Sequence, residues 1–186
     1  MGLRGVRTPA RQGRRAVPPR SARTLWPLRP ELRFGLYSKA RWTVPSGKGC
    51  AFCAVVSGAE HHAIYRDDAT VAFLDHAPVA HGHTLVVPTT HYETLEDVPD
   101  AALAPLFAVV KRVSKAFATA LGAEGSLTLA NTRISQSVAH VHVHVVPRRK
   151  GDHFFTPGRP FWMRQRYATG EAEAIASRLR EALANS

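Results

Sequence analysis

The segment Ser137–Arg149, SVAHVHVHVVPRR, sets histidines at 140, 142 and 144 with valines between them. Alternation at every second residue is the side-chain period of a β-strand. On a strand His140, His142 and His144 share one face, and Val141, Val143 and Val145 share the other. Same-face neighbours then stand about 6.6 Å apart, at a rise of roughly 3.3 Å per residue. Three imidazoles in line do not converge readily on one ion with bonds of about 2.0–2.1 Å. A reactive centre is the better use of them. One neutral imidazole attacks, while its neighbours and backbone carbonyls fix its tautomer. An ordinary imidazole holds little proton near pH 7, so it is a nucleophile towards phosphorus there. Gln136 and Ser137 precede the histidines and offer donors to phosphate oxygens. Arg148, Arg149 and Lys150 follow and read as solvated surface, because clustered charge alone says little.

A second group with chemistry in it is Cys50 and Cys53. Two cysteines at this spacing make no disulfide framework. They supply half of a tetrahedral zinc site, or a redox pair in a reducing compartment. No strand–helix–strand pattern surrounds them, which argues against the redox pair.

These residues need elements to hold them. Thr70–Asp75 (TVAFLD) and His83–Pro88 (HTLVVP) have strand composition, joined by a Pro- and Gly-containing connection. Ser126–Asn131 is a third strand, and the histidine segment to Val146, ended by Pro147, is a fourth. Asp100–Gly122 is the clearest helix, with Asp100 as N-cap and Gly122 just past its end. Its stripe of Leu103, Leu106, Phe107, Val110, Val113, Phe117 and Leu121 is core. A last helix starts from Gly170. The order predicts an α+β domain with an antiparallel β-sheet of about five strands, a long helix and a C-terminal helix.

Length and charge set the outer bounds. The chain has 186 residues, enough for one domain with a sizeable core. Its net charge of +11 resembles a nucleic-acid binder until it is mapped. Residues 1–48 hold 12 Lys/Arg against one acid, Glu31, and the remainder holds 13 of each sign. The basicity thus belongs to the N-terminus, and the domain over 49–186 carries no argument for nucleic-acid binding beyond nonspecific contact of the tail. Residues 1–48 read as a basic, disordered extension. Residues 1–45 also have the Arg-rich, acid-poor marks of a mitochondrial transit peptide, which Pro9, Pro18 and Pro19 weaken, and a start placed too far upstream is a third reading. No apolar run reaches transmembrane length. The expected compartment is cytoplasmic, or mitochondrial if residues 1–45 are a transit peptide.

The run His140-Val141-His142-Val143-His144-Val145-Val146 resembles the signature of the histidine triad family of nucleotide hydrolases and transferases. SQSV before it, CAFCAVVSG, and Val71–Val98 (VAFLDHAPVAHGHTLVVPTTHYETLEDV) resemble that family in the same order. The resemblance covers about residues 49 to 152 and implies the histidine triad fold, usually paired as a homodimer. It implies that His142 takes the nucleotidyl group, that His140 and His144 support it, and that Ser137 and Gln136 meet the α-phosphate and leaving group. It places Asn131 near phosphate or ribose, Asp75 on the ribose hydroxyls, Phe73 and His76 at the base pocket, and His83 on a neighbouring strand. In some relatives the cysteine pair binds a structural zinc with two histidines, here His91 and His140. The sequence departs from the family pattern at Ser135, where glycine is usual, and in a glycine-free loop NTRIS, whose Arg133 is a candidate for an extra phosphate.

The implied substrates are nucleoside phosphoramidates or dinucleoside polyphosphates, purine nucleotides in either case. No cofactor is needed for that catalysis. Two alternatives stay open from the residues: a nucleotide-binding protein with little turnover, and a metal-dependent hydrolase using the triad as ligands.

Overall fold

The computed structural model describes Gly2 and residues 49–59, 61–157 and 162–186. The expectations for residues 1–48 fall outside this range, Gly2 apart. Five strands form one antiparallel sheet: β1 (Ala63–Arg66), β2 (Thr70–Leu74), β3 (Thr84–Pro88), β4 (Gly125–Leu129) and β5 (Val143–Arg148), in the order β1-β2-β3-β5-β4. Helices α1 (Ala51–Val56), α2 (Asp100–Leu121) and α3 (Glu171–Ala184) complete it. This is the predicted α+β arrangement.

The sheet is covered on both faces, and strand pleating decides what each face holds. Ala72, Leu74, Val86, Val143 and Val145 point into the main core. There they meet Leu106, Val110, Val113 and Phe117 of α2, and Ile175 and Leu179 of α3. Val71, Phe73, Leu85 and Val87 point the other way, into a smaller cluster with Phe52 of α1. Burial on both sides explains why β2 and β3 read as unbroken apolar runs rather than alternating ones. Register sets His144 opposite Leu85, and Leu85 opposite Phe73, so the imidazole belongs to the α1 face.

Four local expectations need correction. Strand β5 begins at Val143, so only His144 of the three histidines lies on it. Ahead of it the main chain bends: His140 N–H donates to Val138 O (2.8 Å), and Val141 N–H donates to Tyr92 O (2.7 Å) instead of to β3. Pro147 does not end the strand but lies inside it, opposite Ser126 of β4. Pairing with β3 stops at Val145, so the missing proline donor leaves no bond unmade on that side. On α2 the buried stripe runs through Leu106, Val109, Val110, Val113, Ala116 and Phe117, whereas Phe107 is exposed. Asp100 is the first helical residue rather than the cap, which is Pro99. Gly122 takes the left-handed conformation at the helix end, as predicted.

Strand β1 and helix α1 carried too little signal to be read. The first has four residues with one buried, and the second has Cys50 as N-cap with no side-chain cap bond. Among the described residues no helix is long and apolar enough to cross a membrane.

The turn into β3 depends on Gly82, whose φ is +98° and whose added Cβ would press on Leu121. Its N–H donates to the Tyr167 hydroxyl (3.3 Å), and Asp75 N–H donates to the carbonyl of the next residue, His83 (2.8 Å). A side chain at positive φ costs about 1–2 kcal/mol. Gly82→Ala is therefore expected to lower the urea-unfolding free energy by about 1 kcal/mol or more. An unchanged midpoint would show that the turn does not need glycine.

Candidate functional site

The α1 face of the sheet opens into a cavity of about 890 Å³. Phe52, Val55, Phe73 and Leu85 make an apolar slot at one part of its wall. Asp75, Asn131, Ser137, His142 and His144 bring polar groups to another. An apolar cleft with a few convergent polar groups is the usual form of a small-molecule site.

His142 is set by its own backbone. Its Nδ1 lies 2.7 Å from the carbonyl oxygen of His140. A carbonyl only accepts, so Nδ1 carries the proton and Nε2 keeps its lone pair. Phe52 packs edge-on against the ring at 5.1 Å between centroids, and His144 at 4.8 Å. His142 is 2% exposed. Burial holds it below the ordinary imidazole range, opposed by the His140 carbonyl and by the charge of Asp75.

Behind it runs a chain of polar contacts. His144 Nδ1 is 2.9 Å from His83 Nε2, and His83 Nδ1 is 3.3 Å from Asp75 Oδ2. A carboxylate only accepts, so His83 Nδ1 donates to Asp75, His83 Nε2 accepts from His144 Nδ1–H, and His144 Nε2 is left unprotonated. The Val79 N–H also faces His83 Nδ1, at 3.4 Å. One nitrogen cannot donate and accept at once, and the charged partner at the shorter distance is the stronger. Burial pushes His144 and His83 each down to about 3, with neighbouring imidazoles adding to the effect. Both rings are neutral across the physiological range.

His140 points to a different place. Its Nε2 lies 3.0 Å from Pro88 O, so that nitrogen donates and Nδ1 is free to bind. Nδ1 faces the sulfurs of Cys50 and Cys53, each at 3.6 Å, and His91 Nδ1 lies 3.2 Å from Cys53 Sγ. The four donor atoms lie within 4.8 Å of one another. Tetrahedral zinc with ordinary Zn–S and Zn–N bonds needs S···N separations of about 3.5 Å. The set of two thiols and two imidazoles therefore fits a structural zinc ion. Burial, then the Cys50 sulfur, push the Cys53 thiol up to about 11, and a bound cation displaces such protons. Asp75, His83 and His144 are also mutually close, but Asp75 and His144 touch opposite nitrogens of His83, as a hydrogen-bond chain does.

The cavity thus gathers His142, His144, Ser137, Phe73, Asp75, His76 and Asn131 from the sequence-predicted residues. His83 is fully buried behind His144 and supports it without lining the cavity. His140 serves the cysteine cluster, and its carbonyl serves His142. Gln136 is turned into its own loop: Oε1 accepts from Arg133 N–H (2.8 Å) and Nε2 donates to Glu93 O (2.6 Å). Those bonds brace two left-handed residues, Arg133 (φ 61°) and Ser135 (φ 62°), where glycine would be at ease. Arg133 is paired with Glu96 at 3.1 Å and does not line the cavity. Sequence reasoning missed Phe52, Val55, His61, Trp162 and Arg164. Phe52 was hidden between two metal-type residues, and the last two lie beyond the stretch that carries the motifs.

The cysteine–histidine cluster generates one prediction. The purified chain is expected to carry one zinc ion by mass spectrometry of the native protein. Cys53→Ser is expected to lose it and to melt at a lower temperature, since a bound ion stabilises the state that binds it. A full complement of zinc in that variant would contradict the assignment. The buried imidazoles generate another. Their ordinary value is 6.5, and His83 and His144 fall to about 3 in the fold. Between those values the unfolded chain binds protons that the folded chain does not. Their contribution is therefore complete above pH of about 6.5 and is lost as pH falls towards about 3. Melting temperature is expected to fall from about pH 7 to about pH 4, with a shallower slope in His83→Gln. Identical slopes would rule out a titrating His83.

A family model described as HIT domain matches residues 57–151. An adenosine 5'-monophosphoramidase, hnt1 of Schizosaccharomyces pombe, is 35% identical over 114 residues, 60% of this chain and 83% of that protein. An adenylylsulfatase, HINT3 of Arabidopsis thaliana, is 34% identical over 106 residues, 55% of this chain and 54% of that protein. The crystal structure of a zinc-bound histidine triad family protein from Mycobacterium smegmatis matches with a TM-score of 0.65 at 38% identity, covering 75% of this chain and 96% of that one. Residues 57–151 hold the triad, all five strands and most of the cavity wall, and on these grounds the chain belongs to the HIT domain, or histidine triad, family.

Proposed function

We propose that the chain is a nucleotidyl hydrolase or transferase that cleaves at the α-phosphate of a purine nucleotide conjugate. The observation that carries this reading is the tautomer of His142. Its Nδ1–H is committed to the His140 carbonyl, so its Nε2 lone pair is available at the cavity. The base fits the slot of Phe52, Val55 and Phe73, and Asp75 accepts from ribose hydroxyls. Nε2 of His142 forms a bond to the α-phosphorus as the bond to the leaving group breaks. The leaving group takes its proton with help from the Ser137 hydroxyl, since the neighbouring imidazole N–H groups are committed elsewhere. Water then cleaves the phosphorus–nitrogen bond and returns free imidazole and mononucleotide. The relatives' names support two leaving groups, an amine in one and sulfate in the other.

Zinc, where bound by Cys50, Cys53, His91 and His140, has a structural part in this reading: it ties α1 to the main chain that positions His142. In this reading the triad is not a ligand set for a catalytic metal, because His140 and His144 face different clusters.

The test is turnover of a fluorogenic adenosine phosphoramidate and of diadenosine polyphosphates, with and without brief chelation. His142→Asn is expected to lower kcat by roughly a thousandfold or more, as loss of a nucleophile does. Chelation is expected to leave the initial rate intact. Wild-type protein that binds nucleotide without turnover would favour a binding protein, and activity lost on chelation and restored by metal would favour a metal-dependent hydrolase.

A further inference from the structure

The C-terminal stretch Trp162–Tyr167 crosses the connection between β2 and β3. Gln165 N–H donates to Pro78 O (2.6 Å), and Gln165 Nε2 donates to Val79 O (2.8 Å). The Tyr167 hydroxyl accepts from Gly82 N–H (3.3 Å). At the other end Trp162 packs edge-on to His144 (5.1 Å between centroids) and His83 (5.6 Å). Arg164 lies between these two anchored ends, lines the same cavity as His142 and Ser137, and its charge acts on His83.

Four rings mark the line of the site. Phe52, His142, His144 and Trp162 follow one another at centroid separations of 5.1, 4.8 and 5.1 Å. Phe73 packs beside Phe52 at the apolar end, and at the other end the Arg164 charge acts on His83, the ring that Trp162 also touches. Arg164 is the one lysine or arginine lining the cavity among the described residues. Its rivals are engaged elsewhere: Arg133 pairs with Glu96, Arg148 with Asp152, and Arg149 donates to the Leu121 carbonyl. No hydrogen bond or ion pair occupies Arg164 among the described residues. A guanidinium presents a fork of donors that matches the oxygens of phosphate or sulfate.

We propose that Arg164 is a specificity-determining residue that receives an oxyanion attached beyond the α-phosphate. The substrate class is then a nucleotide whose leaving group is an acid, phosphate chain or sulfate, in preference to a neutral amine. This rests on the reading of the cavity as a nucleotide site with the base at the Phe52 end. The leaving acid departs with its bonding electron pair and needs little proton donation, whereas an amine must be protonated to leave. A cation at this end favours the former and offers nothing to the latter. Arg164 is exposed, so its effect is moderate and falls with salt.

The test compares wild type, Arg164→Ala and Arg164→Lys on substrates that share the adenylyl group. The measured quantity is the ratio of kcat/KM for diadenosine polyphosphate, or for adenosine 5'-phosphosulfate, over that for adenosine phosphoramidate. Arg164→Ala is expected to lower this ratio by about tenfold, the size of one charge-assisted hydrogen bond, with Arg164→Lys between. A fall with either oxyanion supports the proposal, and the larger fall names the source. A ratio equal in all three proteins overturns it. A binding arm separates this proposal from the catalytic reading: the affinity for ADP relative to AMP is expected to fall in Arg164→Ala whether or not turnover occurs. A shift without any turnover sinks the covalent reading and keeps Arg164 as the oxyanion residue. An unshifted binding ratio, or no nucleotide binding at all, sinks the role of Arg164.

Discussion

One residue, His140, is held at three points, and the site is arranged around it. Its Nε2 donates to Pro88 O at the end of β3, its Nδ1 faces the cysteine sulfurs, and its carbonyl accepts from His142 Nδ1–H. The first bond fixes which nitrogen faces the metal donors. The last fixes which nitrogen of His142 keeps its lone pair. A carbonyl is the right partner for both tasks because it accepts and never donates, so each tautomer is determined without reference to pH. The bend that brings this carbonyl to His142 is the same one that delays the start of β5 to Val143.

The two-faced sheet supplies the second condition. Alternation places the three valines against α2 and α3, and the imidazoles on the face covered by α1. Burial there penalises the charged form of every ring, and the rings disfavour charge on one another. The proposed reaction needs a lone pair on His142 at neutral pH, and this surrounding keeps it. The helix that provides the cover also carries Phe52 between its two cysteines. The proposed metal ligands Cys50 and Cys53 and the ring that packs on His142 thus belong to one short helix and its N-cap. By linkage, what steadies one steadies the other.

Much of this was legible in the sequence, for reasons that differ by element. Period-two alternation held for His144 and the valines, because pleating is local, but the bend before β5 takes His140 and His142 off the strand. The helix over 100–121 was legible from its stripe and from Gly122, though Phe107 was assigned to the core when packing left it outside. The Cys50, Cys53, His91 and His140 cluster was reached through resemblance, since nothing local links residues so far apart in sequence. Gln136 was expected at phosphate, but its amide is taken up by a glycine-free loop that needs bracing. Phe52 and Arg164 were not found, because a cavity wall is made of long-range neighbours and no periodicity announces them.

The central claim is that His142, in the tautomer set by His140, bonds to the α-phosphorus. Rapid quenching during turnover of an adenylyl substrate, followed by peptide mass spectrometry under conditions that preserve phosphorus–nitrogen bonds, reads this directly. The account predicts one adenylyl group on His142 and none on its neighbours. Steady turnover with no adduct, or an adduct on His140 or His144, would contradict it.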